Sequence, residues 1–133
     1  MANQVSVSIG RERYETTIKV QQHVIVADEP LDAGGTDLGP SPKELLLSSL
    51  GTCKAITVRM YADRKGWPLE GLSIDLTYLD KSDGEPNTNY IHCEIKLIGD
   101  LDAEQRKRLA LIADKCPVHK ILSNPIVVES NFS

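Results

Sequence analysis

The stretch Ser41-Pro42-Lys43-Glu44-Leu45-Leu46-Leu47-Ser48-Ser49-Leu50-Gly51-Thr52-Cys53-Lys54, continuing to Lys65-Gly66-Trp67-Pro68, decides how the chain folds. Ser41 can cap a helix, Pro42 suits the first helical position, and Glu44 closes an S-x-x-E capping box. The helix is expected to run to Lys65 and to stop at Gly66, ahead of Pro68. At ~1.5 Å per residue such a helix is roughly 36 Å long, about the width of a small domain. From Leu45 to Val58 nearly every position is apolar or small. That composition predicts a helix buried all round, at the centre of the fold.

Outward from the helix, the flanks read as antiparallel strands. Val5, Val7 and Ile9 alternate with polar residues, the period of a half-buried strand. Tyr14–Val20 and His23–Ala27 follow, suggesting a meander. Asp28–Pro40 holds three Gly, two Pro and three Asp, which forbids regular structure. Beyond the helix, Leu72–Tyr78 and Tyr90–Ile98 read as a strand pair. A helix opening at Asp102 carries Leu109, Ile112, Ala113 and Cys116 on one face. Pro117–Leu122 reads as a short helix and Ile126–Val128 as a last strand. The class is α+β, an antiparallel sheet wrapped on a long buried helix. One domain over residues 1–133 is expected from the length.

The net charge is -4 and the pI about 5.3, which argues against a nucleic-acid partner. Arg59, Arg64 and Lys65 suit the C-terminal end of a helix dipole. The N-terminal residues are not expected to form a signal peptide, and no stretch approaches the roughly 18 apolar residues of a membrane span. Three cysteines without regular spacing fit reduced thiols in the cytoplasm better than a secreted disulfide framework.

The cysteines are candidates for chemistry, each with a structural alternative. Cys53, among Gly51, Thr52 and Lys54, is either a core cysteine or a reactive one; the second requires a nearby cation. Cys116 ends one helix, and Pro117 makes it a candidate N-cap of the next. There the free N–H groups and the dipole are expected to lower its pKa, with His119 one turn on. A place in the apolar seam of the preceding helix explains it equally well. Cys93 alternates with His92 and Glu94 on the apolar side of its strand and reads as a core residue. No Cys-x-x-Cys or phosphate-binding glycine loop is present, and Cys116-x-x-His119 lacks a second ligand pair. No cofactor and no metal are expected.

Taken together, Asp28-Glu29-Pro30, Gly34-Gly35, Gly39-Pro40-Ser41-Pro42, Glu44-Leu45-Leu46-Leu47 and Leu50-Gly51-Thr52-Cys53 resemble the central-helix signature of the OsmC/Ohr family. The family is named for osmotically inducible protein C and organic hydroperoxide resistance protein. Arg59-Met60-Tyr61-Ala62, Lys65-Gly66-Trp67-Pro68-Leu69, Gly99-Asp100-Leu101 and Asp114-Lys115-Cys116-Pro117-Val118-His119 continue the likeness in order, nearest the OsmC-like branch. The resemblance implies an intertwined homodimer with active sites at the subunit interface. It implies that Cys53 attacks an organic hydroperoxide, that Cys116 resolves the product as a disulfide, and that a dithiol such as a dihydrolipoyl group is the reductant. In the family a Glu directly follows the helix-opening Pro and holds an Arg near the reactive sulfur. Here Lys43 takes that place and Glu44 is one position later, about 100° around the helix. Arg11 and Arg13 are the early-strand candidates for the Arg. Two other readings are a non-catalytic protein binding an apolar small molecule and a thiol sensor.

Overall fold

The computed structural model describes residues 4–133. They cluster into two compact units, one ending at Leu46 and one beginning at Leu47. The long helix α1, Pro42–Lys65, runs through that boundary.

In the first unit, strands β1 (Ser6–Ile9), β2 (Thr16–Val20) and β3 (His23–Ala27) form the expected antiparallel meander. The structure differs from the sequence reading at two points here. The second strand starts at Thr16 because the Tyr14 N–H turns away to Asp28, donating to Oδ1 at 3.0 Å. β1 is exposed along its whole length rather than half-buried.

The loop that follows is organised by the Asp28 carboxylate, itself buried. It accepts the Thr36 hydroxyl at 2.6 Å and backbone N–H groups of Tyr14, Glu29, Thr36 and Leu38. The Thr36 hydrogen bond is the largest influence on its acidity. Helped by the N–H groups of Tyr14, Glu29 and Leu38, it outweighs burial and holds the carboxyl far below the usual carboxylate range. Gly39 is required by a close approach, since a Cβ there would run into the Val26 carbonyl. The capping box forms as expected. Glu44 accepts the Ser41 N–H at 2.8 Å, and Ser41 Oγ accepts the Glu44 N–H at 3.3 Å.

In the second unit, β4 (Leu69–Leu79) pairs antiparallel with β5 (Tyr90–Gly99), Leu76 lying opposite Cys93. Helices α2 (Ala103–Ala113) and α3 (Pro117–Leu122) follow. Asp102 caps α2 in a full capping box with Gln105. Val58, Ala62, Leu69, Leu101, Leu109 and Ala113 make the core, with Tyr61 and Trp67 packed beside it. Gly51 sits where β4 comes close: a Cβ there would lie 2.6 Å from a Leu76 methyl.

Helix α1 has the expected bounds, but within one chain it is not buried on every side. Burial follows one stripe, Leu50, Gly51, Lys54, Val58 and Ala62. Ile56 and Met60 on other faces are 50% and 61% exposed. Small residues and apolar residues share the helix surface, and a single chain of this length supplies cover for one stripe. Among the described residues the expected strand Ile126–Val128 is absent. That segment pairs with no strand among the described residues, and Val127 is 86% exposed. No described helix is long and apolar enough to cross a membrane.

Candidate active site

Cys116 ends up in both of the places the sequence allowed. It is completely buried, and the α2 seam residues Leu109, Ile112 and Ala113 that precede it are buried too. It is also the N-cap of α3, its sulfur accepting the His119 N–H at 3.3 Å. Pro117 supplies the first helical position without needing a hydrogen bond there. The pKa expectation is overturned. Burial pushes the Cys116 thiol up, and the His119 N–H only partly opposes it. One donor at the end of a six-residue helix does not repay the loss of water around a thiolate.

Cys53 meets Cys116 directly. A hydrogen bond between the two side chains also raises the Cys116 pKa. Cys53 is half-buried, and Cys116 is closed off. One turn along the helix, Thr57 returns its hydroxyl to the Cys53 carbonyl at 2.7 Å.

The cation beside this pair is one the sequence reading did not single out. Lys54, the neighbour of Cys53, is 1% exposed. Its Nζ donates to the Ala113 carbonyl at 3.2 Å and to Asp114 Oδ1 at 3.1 Å, and lies 2.7 Å from His119 Nδ1. Its charge also pulls the thiol pKa values of Cys116 and Cys93 down, against the larger effect of burial in each. The sequence does contain a signal for it: position 54 falls on the stripe of Leu50, Val58 and Ala62, where a charge must find partners inside.

The other expected supporting residues are placed differently. Glu44 serves the helix cap, and its pKa is lowered chiefly by the Ser41 N–H. Lys43 is exposed in the first turn of α1. Arg11 and Arg13 are exposed in the turn between β1 and β2, in the first unit. His119, by contrast, belongs to the cluster through both its ring and its backbone.

Cys93 is half-buried rather than a sealed core residue. With Lys54, His119, Leu50, Ile91 and Leu122 it lines a cavity of about 190 Å³. Among the described residues no three His, Cys, Asp or Glu side chains are grouped to hold a metal.

Residues 34–131 match the family model described as OsmC-like protein, and this is more than half of the chain. The chain belongs to the OsmC-like family. Solved structures agree on the fold. An OsmC-like protein from Mycoplasma pneumoniae superposes with a TM-score of 0.76 at 18% identity, covering 92% of this chain and 88% of that one. An organic hydroperoxide resistance protein from Bacillus subtilis gives 0.59 at 21% identity, over 91% and 90%. One from Legionella pneumophila gives 0.62 at 16%, over 92% and 89%. Comparison with curated protein sequences gave no match. In this OsmC-like chain, then, Cys53 and Cys116 share a hydrogen bond, and the residue next to Cys53 is the buried Lys54.

Proposed function

We propose that the chain is a thiol peroxidase that reduces organic hydroperoxides, and hydrogen peroxide less readily, through Cys53 and Cys116. The observation that carries this reading is the direct hydrogen bond between the half-buried Cys53 and the buried Cys116. Relatives of the same fold are named as organic hydroperoxide resistance proteins.

The chemistry divides between the two sulfurs. The Cys53 thiolate attacks one peroxide oxygen, the O–O bond breaks, and the alkoxide takes a proton and leaves as alcohol. Cys53 is now a sulfenic acid, which over-oxidises if left alone. Cys116 attacks it. An S–S bond forms, and the Cys116 proton leaves with the sulfenic hydroxyl as water. A dithiol reductant such as a dihydrolipoyl group exchanges with the disulfide, restoring both thiols and becoming a disulfide itself. An apolar approach suits an alkyl tail.

The active assembly is a homodimer in the cytoplasm, each subunit a single OsmC-like domain. The exposed Ile56 and Met60 on α1 and the bare β1 are surfaces that a second copy would cover. Sedimentation at micromolar concentration is expected to show a dimer, and a folded monomer would contradict the assembly.

The function itself is tested by peroxide consumption with a dithiol, using alkyl hydroperoxides of different length. Wild type is expected to turn over and Cys53→Ser to be inactive, because a serine hydroxyl is not ionised at neutral pH. No consumption by wild type would leave a protein that binds an apolar ligand or senses thiol oxidation. The displacement of the family Glu by Lys43 favours that second reading.

A further inference from the structure

A lysine ammonium has three protons and accepts no hydrogen bond. In Lys54 all three are accounted for by the Ala113 carbonyl, the Asp114 carboxylate and His119 Nδ1. These acceptors are the last residue of α2, the residue after it, and a residue in the first turn of α3. They lie on both sides of Cys116 in sequence. The side chain that gathers them grows from the residue next to Cys53. The backbone N–H of His119 holds the Cys116 sulfur.

A buried charge is a costly way to fasten two helices, and an apolar residue in its place is often no less stable. The rest of the stripe, Leu50, Val58 and Ala62, is apolar or small. What a three-pronged donor adds is direction: it fixes where the α2–α3 junction sits along α1. Disulfide formation depends on such placement, because the sulfurs and their Cβ atoms must meet within narrow limits.

We propose that Lys54 is a positioning residue for the cysteine pair, its buried ammonium pinning the α2–α3 junction so that Cys116 is presented to Cys53. The proposal rests on the peroxidase reading for its purpose, but its geometry can be tested without a peroxide. Lys54 touches neither peroxide nor leaving group. It acts on the step in which Cys116 closes on an oxidised Cys53, leaving the first attack to Cys53 itself.

The test uses diamide, a diazene that converts two thiols to a disulfide while being reduced to the hydrazine. The full-length protein carrying Cys93→Ser is treated with diamide, quenched with an alkylating agent and mapped by mass spectrometry. With Lys54 in place the Cys53–Cys116 disulfide is expected to close quickly. Lys54→Met keeps the length of the side chain but has no donor, and is expected to slow closure by roughly tenfold or more, the scale of loss when reacting groups are misplaced. Because Lys54 is also the cation beside the pair, closure is compared with the rate at which iodoacetamide alkylates Cys53. Closure is expected to fall by more than alkylation does, a split that loss of the charge alone or general loosening of the fold would not produce. His119→Leu removes one anchor at a half-exposed position and is expected to slow closure in the same direction by less. It decides the matter if Lys54→Met does not fold. Closure at the parental rate in the folded variants would overturn the proposal. If closure depends on Lys54 but organic hydroperoxide never yields the disulfide even in wild type, the positioning role stands and the peroxidase reading falls.

Discussion

Lys54 Nζ lies 2.7 Å from His119 Nδ1, so the residue beside Cys53 and the residue that holds the Cys116 sulfur are joined across two helices. The contact is buried at the lysine end, and it places a donor where burial otherwise has only apolar side chains. Among the described residues no buried side-chain polar atom is left without a hydrogen-bond partner.

Removing that donor has a stability consequence separate from catalysis. Lys54→Met strands the Ala113 carbonyl, and an unsatisfied buried acceptor costs roughly 1–3 kcal/mol. Asp114 is mostly exposed, so water replaces the lost partner, and Asp114→Asn is expected to change stability by no more than about 0.5 kcal/mol. Urea unfolding of the two variants checks the contrast. Equal losses would mean that the ion pair, rather than the carbonyl bond, carries the energy.

The Asp28 loop is expected to be sensitive to acid. Its carboxyl is held below the ordinary value, chiefly by the Thr36 hydroxyl. As pH falls, the unfolded chain therefore takes up the proton before the folded chain does. The stability this group contributes is complete above about 3.9, the usual aspartate pKa, and is lost progressively below it. Asp28→Asn should be less stable at neutral pH and flatter in its acid profile, measured by thermal melts between neutral and strongly acidic buffer. An unchanged acid slope would remove Asp28 from the account.

Much of this was legible in the sequence, and the parts that were not have a common cause. The bounds of α1 follow from local chemistry, the Ser41–Glu44 capping box at one end and Gly66 at the other, so they can be read without knowing what packs where. The Cys116 cap is equally local, fixed by Pro117. Lys54 is different. Its acceptors are the carbonyl of Ala113, the carboxylate of Asp114 and the ring of His119, some 60 residues away, and the first of these leaves no trace in the sequence. The direction of the Cys116 pKa was misread for a related reason. The helix start is visible in the sequence, but the depth of burial that overrides it depends on how α2 packs. The exposure of β1 and of Ile126–Val128 likewise depends on what covers them, which alternation along a strand does not specify.

Cys53 and Cys116 are expected to differ sharply towards reagents. Cys116 is 0% exposed and its pKa is raised by burial, so iodoacetamide should modify the half-buried Cys53 first. The raised value also makes the fold sensitive to alkali. The unfolded chain loses this proton at about 8.5, the ordinary thiol value, so the contribution of Cys116 is complete below that pH and declines above it. Mass mapping after timed alkylation checks the order, and preferential labelling of Cys116 would contradict it.

Cys93 is expected to be dispensable for turnover although it lines the cavity beside Lys54 and His119. It faces Leu76 across the β4–β5 ladder, and its thiol is pushed up by burial, which disfavours a thiolate. Cys93→Ala should cost about 1 kcal/mol through a small cavity and leave peroxide consumption intact. Loss of turnover in a folded Cys93→Ala protein would bring a third thiol into the mechanism.

The central claim is that Cys53 and Cys116 act as one redox pair, and it is tested most directly by mass spectrometry after a single stoichiometric dose of organic hydroperoxide. Wild type is predicted to contain an intramolecular Cys53–Cys116 disulfide, while Cys116→Ser stops at a sulfenic acid on Cys53 that a dimedone-type probe labels. If both thiols remain reduced in wild type under that dose, the claim is contradicted.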